Sequence, residues 1–159
     1  PARMGPAHLR LLANTLSVQA PANETDLSRS LHHLAGTVLR RGLVVILSDL
    51  LDTGDGLHAA LAHFRHRKHD VIVHHILDPA ELDLPFRSIS HFEDLETGDR
   101  VLASPREIRD AYRRSFDAFI GRTRSLCASL DVDYALTRTD EPLTRLVRRH
   151  LTRRQRRGR

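Results

Sequence analysis

Apolar residues along this chain follow two different spacings that alternate from one segment to the next. Spacings of three and four residues, typical of amphipathic helices, occur in the segments 9–16, 27–39, 57–64, 108–130 and 143–151. Continuous or alternating apolar runs, typical of strands, occur at 43–47, 71–77 and 132–137. A strand, a helix and a second strand in succession predict a right-handed parallel crossover, so the pattern predicts an α/β domain.

Two further features complete the predicted order of elements. Apolar residues at 86–92 and 100–103 flank the segment 96–99, whose turn-forming composition predicts a β-hairpin before the long helix. The last strand, 132–137, alternates more than the other two, and we expect it at an edge of the sheet.

The strand predicted at 43–47 carries the most informative pattern, because its five consecutive apolar residues end in Ser48 and Asp49. Unbroken apolar runs belong to parallel strands that helices cover on both faces. In such sheets ligands bind outside the carboxyl ends of the strands, so we expect Ser48 and Asp49 at a binding site. A carboxylate that only caps the next helix or turn is the alternative role for Asp49.

The same strand also predicts an incomplete sheet. With three strands side by side, 43–47 should lie at an edge, where an apolar strand leaves an unprotected pairing surface. The chain begins at Pro1 rather than at a methionine. We therefore expect it to be the C-terminal portion of a larger domain, or to pair with a partner.

The composition favours one soluble domain. The 159 residues are 40% hydrophobic, and no apolar run approaches the roughly 20 residues that span a bilayer. No signal-peptide pattern opens the chain, and Cys127 is the only cysteine, so we expect a cytoplasmic protein without internal disulfides. Cys127 itself is expected in the core.

The net charge of +5 comes from the C-terminal end of the chain. Seven arginines lie within 148–159, and without them the remaining chain is mildly acidic. We expect 152–159 to be a disordered basic tail. This tail would bind polyanions weakly through Arg153, Arg154, Arg156 and Arg157. No aromatic residues alternate with these arginines, so specific binding of nucleic acid is not expected.

The eleven histidines do not predict a metal site. His63, His66 and His69 drift around a helix, and the adjacent strand residues His74 and His75 point to opposite faces. Tetrahedral zinc needs three or four converging ligands, so we expect a solvated helix face and one core histidine.

Catalytic motifs are missing from the sequence. Asp78 and Glu81 are candidates for acid–base chemistry, but the segment 78–81 (DPAE) also fits a helix start with a capping box, which we favour. There is no Gly-x-Ser-x-Gly elbow, phosphate-binding glycine loop or Walker motif. We expect a non-catalytic domain, and a metal-dependent hydrolase acting at the same strand ends is the alternative.

Several segments, in order, resemble one bacterial family, domain of unknown function 58. They are 41–50 (RGLVVILSDL), 71–82 (VIVHHILDPAEL), 92–98 (FEDLETG), 106–112 (REIRDAY), 133–136 (DYAL) and 139–143 (TDEPL). The similarity spans most of residues 7–151. It implies a von Willebrand factor A-like domain, a doubly wound α/β fold of Rossmann-like type with a mainly parallel sheet, here truncated at the N-terminus and carrying the hairpin as an insertion. Residues 1–151 would then be a partial domain and 152–159 its tail.

The resemblance also implies a metal-ion-dependent adhesion site at the strand ends. Such sites take oxygen ligands from an Asp-x-Ser-x-Ser loop after the first strand, a threonine on a second loop and an aspartate after the fourth strand. Thr25 would match the threonine and Asp49 the aspartate, holding Mg²⁺ or Mn²⁺ in the complete domain. Ser48 and Asp52 would line the rim that contacts a protein partner.

The segment 26–30 (DLSRS) spells Asp-x-Ser-x-Ser without the expected context. No apolar strand precedes it, and Ser28 and Ser30 would point away from each other on a helix. We expect a helix capped by Thr25 or Asp26 instead of the metal loop, which leaves the site degenerate or incomplete.

The family resemblance implies a partner as well. Members are typically encoded beside MoxR-type AAA+ ATPases and are associated with them in assembling or activating other protein complexes. A protein-interaction role with such an ATPase is therefore the expected function, with no specific nucleic acid and no membrane segment in this chain.

Overall fold

Helices alternate with strands along most of the chain. The computed structural model describes residues 5–18, 27–51, 54, 56–94, 98–146 and 148. Its helices are α1 (Pro6–Val18), α2 (Leu27–Thr37), α3 (Gly56–His66), α4 (Pro79–Asp83) and α5 (Pro105–Ser129). Its strands are β1 (Leu43–Ser48), β2 (Asp70–Leu77), β3 (Ser90–Glu93), β4 (Arg100–Ala103) and β5 (Asp133–Arg138). No helix in the described ranges has both the length and the apolar character needed to cross a membrane.

Strands β1, β2 and β5 form a parallel sheet in the order β1-β2-β5. The register pairs Ile46 of β1 with Val73 of β2, and Val73 with Tyr134 of β5. β2 is therefore the central strand, and β1 and β5 are the edges in the described part of the chain. A parallel sheet with helical connections is compatible with a Rossmann-like fold, as the sequence predicts.

The central strand is buried on both faces, as expected for a parallel strand between two neighbours. Val71 and Val73 lie on one face, Ile72 and His74 lie on the other, and all four side chains are buried. The position of β2 at the centre thus accounts for five consecutive buried residues, from Val71 to His75.

Helices α2 and α3 pack together in one hydrophobic cluster with the face of the sheet that carries Val71 and Val73. α3 buries the apolar face that the sequence predicts, which consists of Leu57, Ala60, Leu61 and Phe64. The two helices approach closely at Gly56, where an added Cβ atom would lie 2.6 Å from Ser28 Oγ. A larger residue at Gly56 would force the two helices apart.

The long helix α5 adds Cys127 to the same cluster, with Phe119 and Leu126 packed against it. Cys127 is fully buried, as predicted, and burial raises the pKa of its thiol to about 11. The thiol therefore stays protonated at neutral pH and behaves as a small apolar side chain.

Strand β1 differs from the prediction that helices cover both of its faces. Ile46 is buried, but Leu43, Val45 and Leu47 are between 45% and 64% exposed. In the described part of the chain, helices cover only the face that carries Val44 and Ile46. An uninterrupted apolar run does not show which face a helix covers, because both faces look alike in the sequence.

Helix α1 forms where the sequence predicts it, yet none of its residues is buried. The leucines of its predicted stripe, Leu9, Leu12 and Leu16, are between 48% and 74% exposed. Residues 143–146 are also helical, and Leu143 is exposed. The leucines of α1 and Leu143 therefore remain largely uncovered.

Strands β3 and β4 form a separate two-stranded antiparallel sheet. Arg100 donates to a carboxylate oxygen of Glu93 at 3.0 Å, and the two residues are directly opposite in the register. Gly98, in the segment between the strands, has a φ of 75°, a left-handed conformation that favours glycine. Phe86 contacts Phe92 edge-to-face with ring centroids 5.7 Å apart.

We expect Leu61→Ala to lower the free energy of unfolding by about 2–5 kcal/mol, because it leaves a cavity in a close-packed core. Leu16→Ala removes the same atoms from an exposed helical position and should change it by less than about 0.5 kcal/mol. Urea unfolding followed by circular dichroism measures both. Equal losses would contradict the exposed position of Leu16.

Candidate functional site at the strand ends

The carboxyl ends of the three parallel strands meet at one edge of the sheet, and each is followed by polar residues. β1 ends at Ser48 and is followed by Asp49, whereas Asp78 follows β2 and Thr139 follows β5. We call these four residues, together with Asp140, the strand-end rim. Ligands of open parallel sheets bind at such an edge, so the rim is the candidate functional site.

The rim at the end of β1 is a tight turn over residues 48–51, here called the Asp49 turn. The Leu50 amide donates to Ser48 Oγ at 3.0 Å, and the Leu51 amide donates to Asp49 Oδ1 at 3.3 Å. Leu50 has a φ of 60°, a left-handed conformation that costs a non-glycine residue about 1–3 kcal/mol. Burial of the Leu50 side chain offsets this cost, while Asp49 remains exposed.

His75 of β2 lies beside Ser48, the first residue of the Asp49 turn, in the register. Its ring is fully buried, with edge-to-face contacts to Phe119 at 5.4 Å and to Tyr134 at 5.9 Å. Burial lowers the pKa of His75, and the backbone and charge of Asp49 act in the opposite direction. The imidazole is therefore neutral at physiological pH.

Tyr134 of β5 fixes one nitrogen of that ring. Its hydroxyl lies 2.8 Å from His75 Nδ1. Burial raises the pKa of Tyr134 to about 12, so the hydroxyl keeps its proton and is able to donate to Nδ1. His75 Nε2 is buried and has no hydrogen-bond partner among the residues that the structure describes.

The expectation of a single core histidine is wrong, because His69, His74 and His75 are all buried. Each has a polar neighbour that makes burial tolerable: the Gly42 amide donates to His69 Nδ1 at 3.2 Å, and Thr137 Oγ1 lies 3.4 Å from His74 Nδ1. These partners come from distant segments, so helical spacing did not reveal them.

The second half of the rim is held by Asp78, which forms the predicted capping box at the start of α4. The Ala80 amide donates to Asp78 Oδ1 at 2.8 Å, and the Asp78 amide donates to Glu81 Oε2 at 2.6 Å. The Thr139 hydroxyl donates to Asp78 Oδ2 at 2.6 Å and so joins the ends of β2 and β5. Sequence reasoning missed Thr139, although its position directly after a strand was a usable signal.

Charged pairs surround this part of the rim. Arg138 donates to both carboxylate oxygens of Asp140 at 2.9 Å, and Arg113 donates to Asp83 at 2.9 Å. These side chains are about half exposed, so solvent screens the pairs strongly and they add little to stability.

Some of the predicted site residues fall outside the described part of the chain. Ser48 and Asp49 lie together at the rim, and Ser28 and Ser30 lie in helix α2, as the helical interpretation of 26–30 predicts. Thr25, Asp26, Asp52, Arg153, Arg154, Arg156 and Arg157 are outside the described residues.

The described residues do not form a metal site by themselves. Among them, no group of three or more histidine, cysteine, aspartate and glutamate side chains is arranged to hold a metal ion. At the β1 end the oxygen ligands are the Asp49 carboxylate and the Ser48 hydroxyl, whereas Mg²⁺ takes six oxygen ligands, several of them water. This ligand set is incomplete.

Comparison with known proteins identifies the family. The family model described as protein of unknown function DUF58 matches residues 1–122. The chain belongs to the DUF58 family. This agrees with the resemblance of the four segments between residues 41 and 112, which include β1, β2 and the start of α5. The segments 133–136 and 139–143 lie beyond the matched residues.

Curated relatives of this DUF58 chain occur in mycobacteria. Uncharacterized proteins of Mycobacterium tuberculosis strain H37Rv and of Mycobacterium bovis are each 30% identical to it over 119 residues. The matched segment covers 72% of this chain and 37% of each relative, so the chain spans well under half of their length. No solved structure matches the chain significantly.

Thr139→Val should raise the pKa of Asp78 toward its ordinary value of 3.8, because the Thr139 hydroxyl is the largest cause of its lowered pKa. A lowered pKa in the folded state stabilises the fold at pH values above the unfolded pKa. That contribution is lost as the pH falls through the folded pKa. Carboxyl ¹³C shifts titrated by NMR measure the change. Thr123→Val is the control. The Thr123 hydroxyl donates to Phe119 O within α5, so its removal should leave the pKa of Asp78 unchanged.

Proposed function

We propose that this chain is the non-catalytic, protein-binding part of a von Willebrand factor A-like domain that works with a MoxR-type AAA+ ATPase in the assembly or activation of protein complexes. The observation that carries the proposal is the Asp49 turn. Its backbone is held by Ser48 and by the buried side chain of Leu50, and it leaves the Asp49 carboxylate exposed at a strand end. A rigid turn with an exposed carboxylate suits binding of a partner.

The von Willebrand factor A-like assignment is supported by the open edge of β1. The Asp70 amide donates to Gly42 O at 3.0 Å, and ladder bonds alternate along a parallel pair. The amides of Leu43, Val45 and Leu47 consequently face away from β2. We propose that the parallel sheet continues beyond this edge in the full-length protein, with β1, β2 and β5 as its C-terminal strands and the β3–β4 pair as an insertion.

Asp49 would contribute one ligand to a Mg²⁺ or Mn²⁺ ion in that larger domain. Thr25 would contribute another, and Ser48 and Asp52 would contact the partner beside the metal. A carboxylate of the partner would then complete the coordination, because Mg²⁺ is commonly held by one or two carboxylates and water. The incomplete ligand set of the described residues supports a shared site over a closed one.

Binding to a MoxR-type ATPase from the same organism tests the role of Asp49. With the full-length gene product, Asp49→Ala should weaken binding in Mg²⁺ by about tenfold or more, a loss of at least about 1.4 kcal/mol. The rise in melting temperature that Mg²⁺ or Mn²⁺ produces should also disappear. Biolayer interferometry and thermal denaturation, with and without a chelator, measure these effects.

The matched control for this test is Asp99→Ala, which removes an exposed carboxylate from the segment between β3 and β4 and not from a strand end of the parallel sheet. It should retain both binding and the metal-induced shift. An unchanged affinity in Asp49→Ala, or a metal response shared by both variants, would contradict the proposal.

Hydrogen exchange in β1 tests whether the sheet continues. In residues 1–159 alone, the amides of Val44 and Ile46 should exchange slowly, because they face β2, whereas those of Val45 and Leu47 should exchange fast. In the full-length gene product, an added strand should slow Val45 and Leu47 by about two orders of magnitude. NMR with single-residue resolution is required, and fast exchange of both amides in the full-length protein would rule out an added strand.

A further inference from the structure

We propose that His75 is the positioning residue of the Asp49 turn. Its Nε2–H, fixed in place by Tyr134, is the donor available to the backbone of Asp49, and through it His75 sets the direction of the exposed carboxylate. The inference rests on the proposed function only in assuming that the Asp49 carboxylate binds a metal ion shared with a partner.

The location of His75 is the first support. β1 and β2 pair in parallel, and the register places His75 directly beside Ser48, the first residue of the Asp49 turn. Register partners project to the same side of a sheet, so the imidazole lies under the turn that starts at Ser48. The ring is fully buried, so it cannot contact a ligand that binds at the rim. Any influence on such a ligand must therefore pass through the residues of the turn.

The second support is the orientation of the ring. Phe119 and Tyr134 both contact it edge-to-face, which restricts its rotation. The Tyr134 hydroxyl occupies Nδ1 at 2.8 Å. A neutral imidazole that accepts a hydrogen bond at Nδ1 carries its proton on Nε2. The ring therefore presents a donor on the side away from Tyr134.

The third support is that this donor has no other acceptor in the described ranges. Nε2 is buried, and no described residue accepts a hydrogen bond from it. The register places the ring beside Ser48, the residue before Asp49, and the backbone and charge of Asp49 oppose the lowering of the His75 pKa by burial. A buried donor without an acceptor is costly, and a small movement of the turn that brings the Asp49 backbone onto Nε2–H is favourable. His75 thus favours one position of the turn.

His69 provides a matched comparison within the same fold. It is also fully buried, it also has an unpaired Nε2, and its ring contacts Phe64 edge-to-face at 5.8 Å. It lies before β2, at the opposite end of the sheet from the Asp49 turn. Replacing His69 therefore tests the general cost of losing a buried histidine without touching the rim.

The experiment uses residues 1–159 without metal or partner, so its outcome does not depend on the proposed function. The amides of Leu50 and Leu51 report the order of the turn, because each donates to a side chain of the turn. His75→Leu should increase their hydrogen-exchange rates by about tenfold, the effect of losing one hydrogen bond. His75→Gln, which keeps an N–H donor near the position of Nε2, should restore slow exchange.

Two further measurements keep the test decisive if His75→Leu folds poorly. The ¹⁵N shifts of the His75 imidazole in the unsubstituted chain should show the proton on Nε2. Tyr134→Phe, which removes only a hydroxyl, should change that tautomer and give intermediate exchange rates at Leu50 and Leu51.

Three results would overturn the inference. They are a proton on Nδ1 of His75 in the unsubstituted chain, equal acceleration of the Leu50 and Leu51 amides by His69→Leu, or failure of His75→Gln to restore slow exchange. If His75 behaves as proposed while Asp49→Ala retains metal response and ATPase binding, the positioning role stands and the proposed function fails.

Discussion

The fold depends on the burial of one parallel strand on both of its faces. β2 lies between β1 and β5, and α2 and α3 bury the face that carries Val71 and Val73. Burial of apolar surface is the main favourable term in folding, and a central parallel strand contributes more of it per residue than an edge strand. The rim exists because of this arrangement, since parallel neighbours of a buried strand must end at the same edge of the sheet.

The sequence correctly predicted those parts of the fold whose side-chain pattern is compatible with only one local structure. The stripe of α3, the apolar run of β2 and the capping box at Asp78 are local patterns, and all three are found in the structure. The prediction that helices cover both faces of β1 was wrong. A run of apolar residues shows that a strand is apolar, but it does not show where the covering helices lie. Which face is covered depends on residues far away in the chain.

In the candidate site, too, residues with a local sequence signal were predicted, whereas contacts between distant residues were not. Ser48 and Asp49 were recognisable because they directly follow a strand. The buried pair of His75 and Tyr134 was not, since 59 residues separate them and the hydrogen bond forms only when β5 pairs with β2. Buried polar side chains need partners, and partners from other segments are invisible to spacing rules. The part of the site that could not be predicted from the sequence therefore consists of contacts between neighbouring strands of the sheet.

Leu50 belongs both to the rim, through its backbone, and to the core, through its side chain. Its left-handed backbone belongs to the Asp49 turn, whereas its side chain is in the hydrophobic cluster with Leu57 and Phe64. A glycine would relax the backbone but would lose the buried side chain, so the rigidity of the turn is supplied by core packing. Substitutions beneath α3 therefore change the shape of the rim without lying at its surface. Natural variation in the core of this domain is a route by which the rim changes while its exposed residues stay the same.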